Sequence, residues 1–252
     1  MPNYRTNYSI GHKSHFIRKK AAQNVFDAVD FALHLERPLN YFIVVNLLGA
    51  PQYNHKSVLD EIMQKYRRWN SYRNRVFRKE ETKDLPPLWV YTLENNLGNN
   101  PHANWLVHIP DGCIADFKQK LHLWCERVLG NYKKNDVYIT KVNMDAYKQP
   151  ANYILKGIDP FHMKRFHLTP FYEGPQGEVY GCRARPSNAL NKEARRKVNF
   201  NASEFRREKM EKLLGIENSV EGTGSNKIYK YARLGITSRK SEVYFSHSLS
   251  GK

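Results

Sequence analysis

The segment from Leu88 to Ile109 constrains the fold more than any other part of the chain. It reads LWVYTL, then a loop of Asn and Gly in NNLGNNP, then HANWLVHI. Runs of β-branched and aromatic residues on either side of a turn-forming loop predict two antiparallel strands joined as a hairpin. The second strand alternates with period two. His102, Asn104, Leu106 and His108 therefore share one face, and Ala103, Trp105, Val107 and Ile109 share the other. The second set is core material. The first carries polar side chains two residues apart, which packing alone does not explain. Glu94 ends the first strand, and its carboxylate is expected to reach the His102 imidazole across the ladder.

The rest of the chain supplies partners for that hairpin. Ala22, Val25, Phe26, Val29, Ala32 and Leu33 recur at helical spacing between about Lys19 and Leu35, before Pro38. The apolar run from Tyr41 to Leu48 predicts a central strand covered on both faces. A helix capped by Ser57 should bury Val58, Ile62, Tyr66 and Trp69 and leave Arg67, Arg68, Arg73 and Arg75 on its basic remainder. Pro110 and Asp111 should open a third helix, running to Leu129 and closed by Gly130. A short strand follows at Val137 to Val142. The segment containing YILKG is expected to be helical from Tyr153, EVYGCRA to be a strand, and a capped helix to begin near Ser203. This order predicts an α+β fold, one antiparallel sheet with packed helices. From Glu221 onward, apolar periodicity is poor and a mobile basic arm is expected.

With 41 Lys and Arg against 24 Asp and Glu, the formal charge is +17, well beyond what solubility requires. It points to a polyanionic partner, with nucleic acid favoured by 16 Tyr spread among the cations. Arg67, Arg68, Arg73 and Arg75, with Arg195, Arg196 and Lys197, are the candidate phosphate contacts. Three cysteines without a CxxC pair indicate neither a zinc knuckle nor a disulfide framework and fit a reducing cytoplasm. No stretch is apolar and long enough to predict a membrane span. No Walker loop of the GxxxxGK[ST] kind occurs, so unwinding would have to come from a partner.

Two constellations carry chemistry. Glu94, His102 and Asn104 offer carboxylate oxygen, imidazole nitrogen and amide oxygen, a donor set suited to Mn²⁺ or Mg²⁺. In YILKG, Tyr153 and Lys156 stand three residues apart and share a helical face. A tyrosine with a reference pKa of about 10 is a weak nucleophile at neutral pH, but an adjacent ammonium stabilises the charge that develops on attack at phosphorus.

Taken in order, YFIVVN, LWVYTLENNLGNNPHANWLVHIP, a helix and YILKG resemble the layout of the HUH endonucleases, most of all the rolling-circle replication initiators of plasmids and small DNA phages. GCRARPSNALNKEARRK is similar to a segment that follows the nucleophile motif in plasmid initiators. The resemblance implies an RRM-like catalytic domain at residues 39–160, preceded by a basic segment and helix at 1–38 and followed by a basic extension at 161–252. It implies Glu94, His102 and Asn104 as metal ligands, with Asn104 standing where a second His is commonest. Tyr153 is implied as nucleophile and Lys156 as its helper. The implied activity is strand-specific nicking and rejoining of a single-stranded or hairpin origin through a 5′-phosphotyrosine link, with a host helicase and polymerase in a bacterial cytoplasm. Relaxases and single-strand transposases share this chemistry, and a DNA-binding protein with a decayed metal site is the non-catalytic alternative.

Overall fold

The computed structural model describes residues 13–48, 55–77, 85–96, 100–144, 148–169 and 176–213, with side chains at 73–77, 96, 148–149 and 212–213 left aside. The side chains of Arg73 and Arg75 and the segment from Glu221 lie outside what it describes. The chain divides into two units, Met1–Lys209 and Met210–Lys252.

Five strands form one antiparallel sheet. They are β2 (Tyr41–Asn46), β3 (Trp89–Asn96), β4 (Asn100–Val107), β5 (Val137–Lys141) and β7 (Ala184–Pro186), in the order β5-β2-β4-β3-β7. The expected hairpin is β3 and β4, and β4 takes the middle of the sheet. A separate two-stranded ladder joins β1 (Lys13–Ser14) to β6 (Val179–Tyr180). The fold is α+β, as the alternation of elements requires.

The period-two pattern of β4 sorts the core into two layers. Ala103, Trp105 and Val107 face α2 (His55–Phe77) and α3 (Ile114–Leu129). Tyr66 of α2 meets the Trp105 ring edge-on at 5.2 Å, and its hydroxyl donates to the His108 carbonyl at 2.9 Å. Helix and sheet are thus fixed by both apolar and polar contact. On the other face, Leu106 and Val90 pack with α1 (Lys19–His34) and α4 (Lys148–Ile154). In α1, Ala22, Ala28 and Ala32 are fully buried, while Phe26 and Leu33 flank the contact. Small side chains at the centre let the helix approach the sheet closely.

Several local expectations shift. Helix α2 begins at His55, so Ser57 lies inside it rather than capping it. Pro110 and Asp111 belong to a turn, in which Gly112 has a φ of 74°, and α3 starts only at Ile114. Helix α4 begins at Lys148, so Tyr153 sits in its last turn and not its first. EVYGCRA holds β6 and reaches only the first residue of β7, the two divided at Gly181 with a φ of 86°. Helix α7 (Ala202–Leu213) is capped by Asn201, whose Oδ1 accepts from the Ser203 and Glu204 amides.

Candidate metal and nucleophile site

The site lies on the α4 side of the sheet, where the register brings the polar residues together. Glu94 pairs with His102, and Thr92 with Asn104. On the other flank of β4, His102 pairs with Asn46 and Asn104 with Val44. Glu94, Thr92 and Asn104 are at most 1% exposed. The His102 side chain is 13% exposed, more than the other three.

The His102 ring is oriented in a way that bears on what the site holds. Its Nδ1 lies 3.1 Å from the Asn100 carbonyl, which can only accept, so Nδ1 is the protonated nitrogen. In the neutral ring Nε2 then carries a lone pair, and it lies 2.9 Å from Glu94 Oε2. Two lone-pair donors this close require a cation between them, either a shared proton or a metal ion. Their separation is close to the roughly 3.0 Å between adjacent ligands in an octahedron with bonds of about 2.1 Å. Anchoring the remote imidazole nitrogen to a backbone carbonyl is also how metal-ligating histidines are commonly held. Glu94 Oε2 has the His102 and Lys156 nitrogens beside it, whereas Glu94 Oε1 is buried without a hydrogen-bond partner. A buried carboxylate oxygen is costly to leave unmatched. The donor set therefore fits a hard divalent cation, although no cluster of three His, Cys, Asp or Glu occurs among the described residues; the third position here is an amide.

The nucleophile candidate comes from α4 and the turn after it. Successive bonds from Leu155, Lys156 and Ile158 amides to Asn152, Tyr153 and Leu155 carbonyls wind the chain tightly there. Ile17 donates to the Gly157 carbonyl and accepts from the Asp159 amide, so the N-terminal segment clamps the turn. Lys156 is 3% exposed. Its Nζ donates to the Tyr153 hydroxyl at 3.1 Å and lies 3.5 Å from Glu94 Oε2. The ammonium links the phenol to the carboxylate of the donor set. Phe42 of β2 packs edge-on against the Tyr153 ring at 5.8 Å and fixes its other side.

Arg183 was not among the sequence candidates. It is 4% exposed, and its guanidinium donates to the Ser14, Gln176 and Gly177 carbonyls. Burial pulls its pKa down to about 10, opposed by the nearby Glu94 carboxylate. Lys156 and Arg183 together outnumber Glu94, which favours an approaching phosphate. Gly177 closes this side with a φ of 65°; a Cβ there would fall 1.4 Å from the Asn95 carbonyl oxygen. Tyr138 of β5 was also missed. It pairs with Val44, itself the neighbour of Asn104, so it lies on the site face of the sheet, and it is 51% exposed.

The candidate phosphate contacts separate. Arg67, Arg68, Arg196 and Lys197 are exposed. Arg195 departs from expectation: it is buried, and its guanidinium donates to the Leu190 carbonyl and to Asn24 Oδ1 at 2.7 Å, tying α6 (Lys192–Lys197) to α1. His108 lies beyond the end of β4, with Nδ1 2.9 Å from the Pro38 carbonyl. No protein-family model matches this sequence, and no curated protein sequence matches it.

Proposed function

We propose that the chain is a metal-dependent, strand-specific DNA nickase and ligase of the HUH endonuclease type, acting in rolling-circle replication. The observation that carries this reading is the position of Lys156, whose ammonium bonds the Tyr153 hydroxyl while standing beside Glu94 of the donor set. A buried lysine binding a phenol on one side and a metal-type carboxylate on the other has little purpose in packing. It suits a tyrosine that must carry negative charge while attacking phosphorus.

Tyr153 Oη attacks the scissile phosphorus, the bond from phosphorus to the 3′-oxygen breaks, and that oxygen leaves as a free 3′-OH on taking up a proton. The phenol proton is released, and the strand's 5′-phosphate is held on Tyr153. Because one phosphoester replaces another, a later 3′-OH reverses the step and closes the strand without ATP. Lys156 stabilises the phenolate, Phe42 holds the ring in line, and Arg183 adds positive field at the phosphate. Glu94, His102 and Asn104 would hold Mn²⁺ or Mg²⁺, which when bound polarises the scissile phosphate. Single-stranded or hairpin origin DNA is the proposed substrate, with host helicase and polymerase as partners in a bacterial cytoplasm.

The test is incubation with a broad library of single-stranded oligonucleotides and Mn²⁺ or Mg²⁺, scored for a covalent adduct on a denaturing gel. Wild type should form the adduct and Tyr153→Phe should lose it. An adduct that persists in the variant defeats the nucleophile assignment. DNA binding without any wild-type adduct would favour the non-catalytic alternative.

A further inference from the structure

A groove of about 840 Å³ opens on the other face of the sheet, between α2 and the β3–β7 edge. Trp89, whose ring belongs to the layer under α2, forms part of its floor. The nick site is on the opposite face, with Val90 and Leu106. The groove is therefore a separate place on the molecule.

Its charge is uneven. Of the two carboxylates that the described residues place in the wall, Asp60 is paired with Lys56 and Glu61 with Lys65. Arg67, Arg68 and Arg185 are exposed and form no ion pair among the described residues. They come from two elements, α2 and the edge strand β7, and Arg185 is steadied by donating to Asn188 Oδ1 at 3.0 Å. In the same wall, Trp89 Nε1 and Ser187 Oγ are buried without a partner. A concave surface with three guanidinium groups focuses positive potential, and guanidinium matches phosphate in a bidentate fashion. The volume far exceeds one phosphate, so a repeating anion fits better than a single ion.

The form of nucleic acid follows from what the groove lacks. Single strands are usually held by exposed aromatic faces on which bases stack. Among the described residues, Trp89 is the one aromatic residue in the lining, and it is 5% exposed. Cations without an exposed ring read a backbone and leave the bases paired.

We propose that this groove grips the phosphate backbone of duplex DNA flanking the nick, through Arg67, Arg68 and Arg185. The choice of DNA as the polyanion rests on the proposed nicking function, whereas the place and form of contact rest on the groove itself.

The full chain and its triple variant Arg67→Ala, Arg68→Ala, Arg185→Ala are compared by fluorescence anisotropy on two probes. One is a short single strand; the other is the same strand continued into a duplex of about two helical turns. A second triple, Lys118→Ala, Lys120→Ala, Arg127→Ala, removes equal charge from exposed positions of α3 outside the groove. The groove variant should bind the duplex-tailed probe at least about tenfold more weakly at physiological salt, with a log K against log salt slope smaller by about 2 to 3. Its affinity for the short strand should stay within about twofold and its melting temperature should be unchanged. An equal loss on both probes, a similar loss in the α3 variant, or full affinity for the duplex tail would overturn the proposal. Adduct formation is scored on the same samples. A wild type that forms none but shows the duplex-specific loss fails as a nickase and keeps the groove; the converse pair of results keeps the nickase and discards the groove.

Discussion

Asn104 and Tyr138 show most clearly what single residues contribute. Asn104 is buried on the ligand face of β4, and its Nδ2 makes no hydrogen bond that truncation would remove. Asn104→Ala should fold while binding Mn²⁺ about 10- to 100-fold more weakly than wild type, read as a smaller metal-induced rise in melting temperature. An unchanged rise would remove Asn104 from the donor set. Tyr138 offers an exposed ring on the same face, two strands away from Asn104. Base stacking contributes about 1–3 kcal/mol. Tyr138→Ala should therefore weaken single-strand binding about 5- to 150-fold and leave the rate at saturating DNA nearly unchanged. The ligand face of β4 was legible because strict alternation fixes which side chains share a side. Tyr138 was not, because VYITK reads the same whether its strand lies inside a sheet or at the edge. Arg183 was hidden for another reason: its carbonyl partners lie at Ser14 and Gln176–Gly177, and neither contact has a local sequence signature.

Elements with a repeating pattern were readable, and those set by a few residues were not. Helix α2 buries Val58, Ile62, Tyr66 and Trp69 as their spacing requires. Helix α4 was expected to begin at Tyr153, yet it starts at Lys148 and takes in Pro150, because proline is tolerated in a first turn, where its missing N–H has no partner to bond. Strand β7 has only three residues and pairs with a strand about ninety positions earlier, too short for any period to show. Within α3, Cys125 gives a measurable consequence of burial. Its thiol is pushed from the ordinary 9.0 up to about 12. Between those values the unfolded chain releases the proton and the native protein retains it, so stability falls as pH rises. Urea unfolding should show wild type losing on the order of 1 kcal/mol more per pH unit than Cys125→Ala between about pH 9 and 12. Parallel curves for the two proteins would mean that the thiol titrates normally. At pH 8 the exposed Cys182 should react with a thiol reagent well before Cys125.

For the whole molecule, the alternation of helices and strands was enough to give the fold class, while the closing of the sheet depended on chain far from its centre. Beyond β7, α7 returns to α1: Arg206 donates to Asp27 and, at 2.6 Å, to Asp30, which is 3% exposed. Those two carboxylates lift the Arg206 pKa against the effect of burial. Phe205 adds an edge contact with His34 at 5.9 Å. Removing Arg206 takes a guanidinium away from the buried Asp30 carboxylate, a change that costs up to about 3–5 kcal/mol. A chain ending at residue 200 should therefore melt about 10 °C lower than one ending at residue 213, since each kcal/mol moves a domain of this size by about 2–4 °C. The residues after 213 include six Lys or Arg and three Glu, so the longer truncate keeps most of the +17 charge. It should match the full chain in adduct formation and bind single-stranded DNA within a few-fold. If instead the truncate at 213 loses the adduct while its melting temperature is preserved, residues beyond 213 take part in substrate binding, and charge and catalysis are not confined to the sheet and its helices.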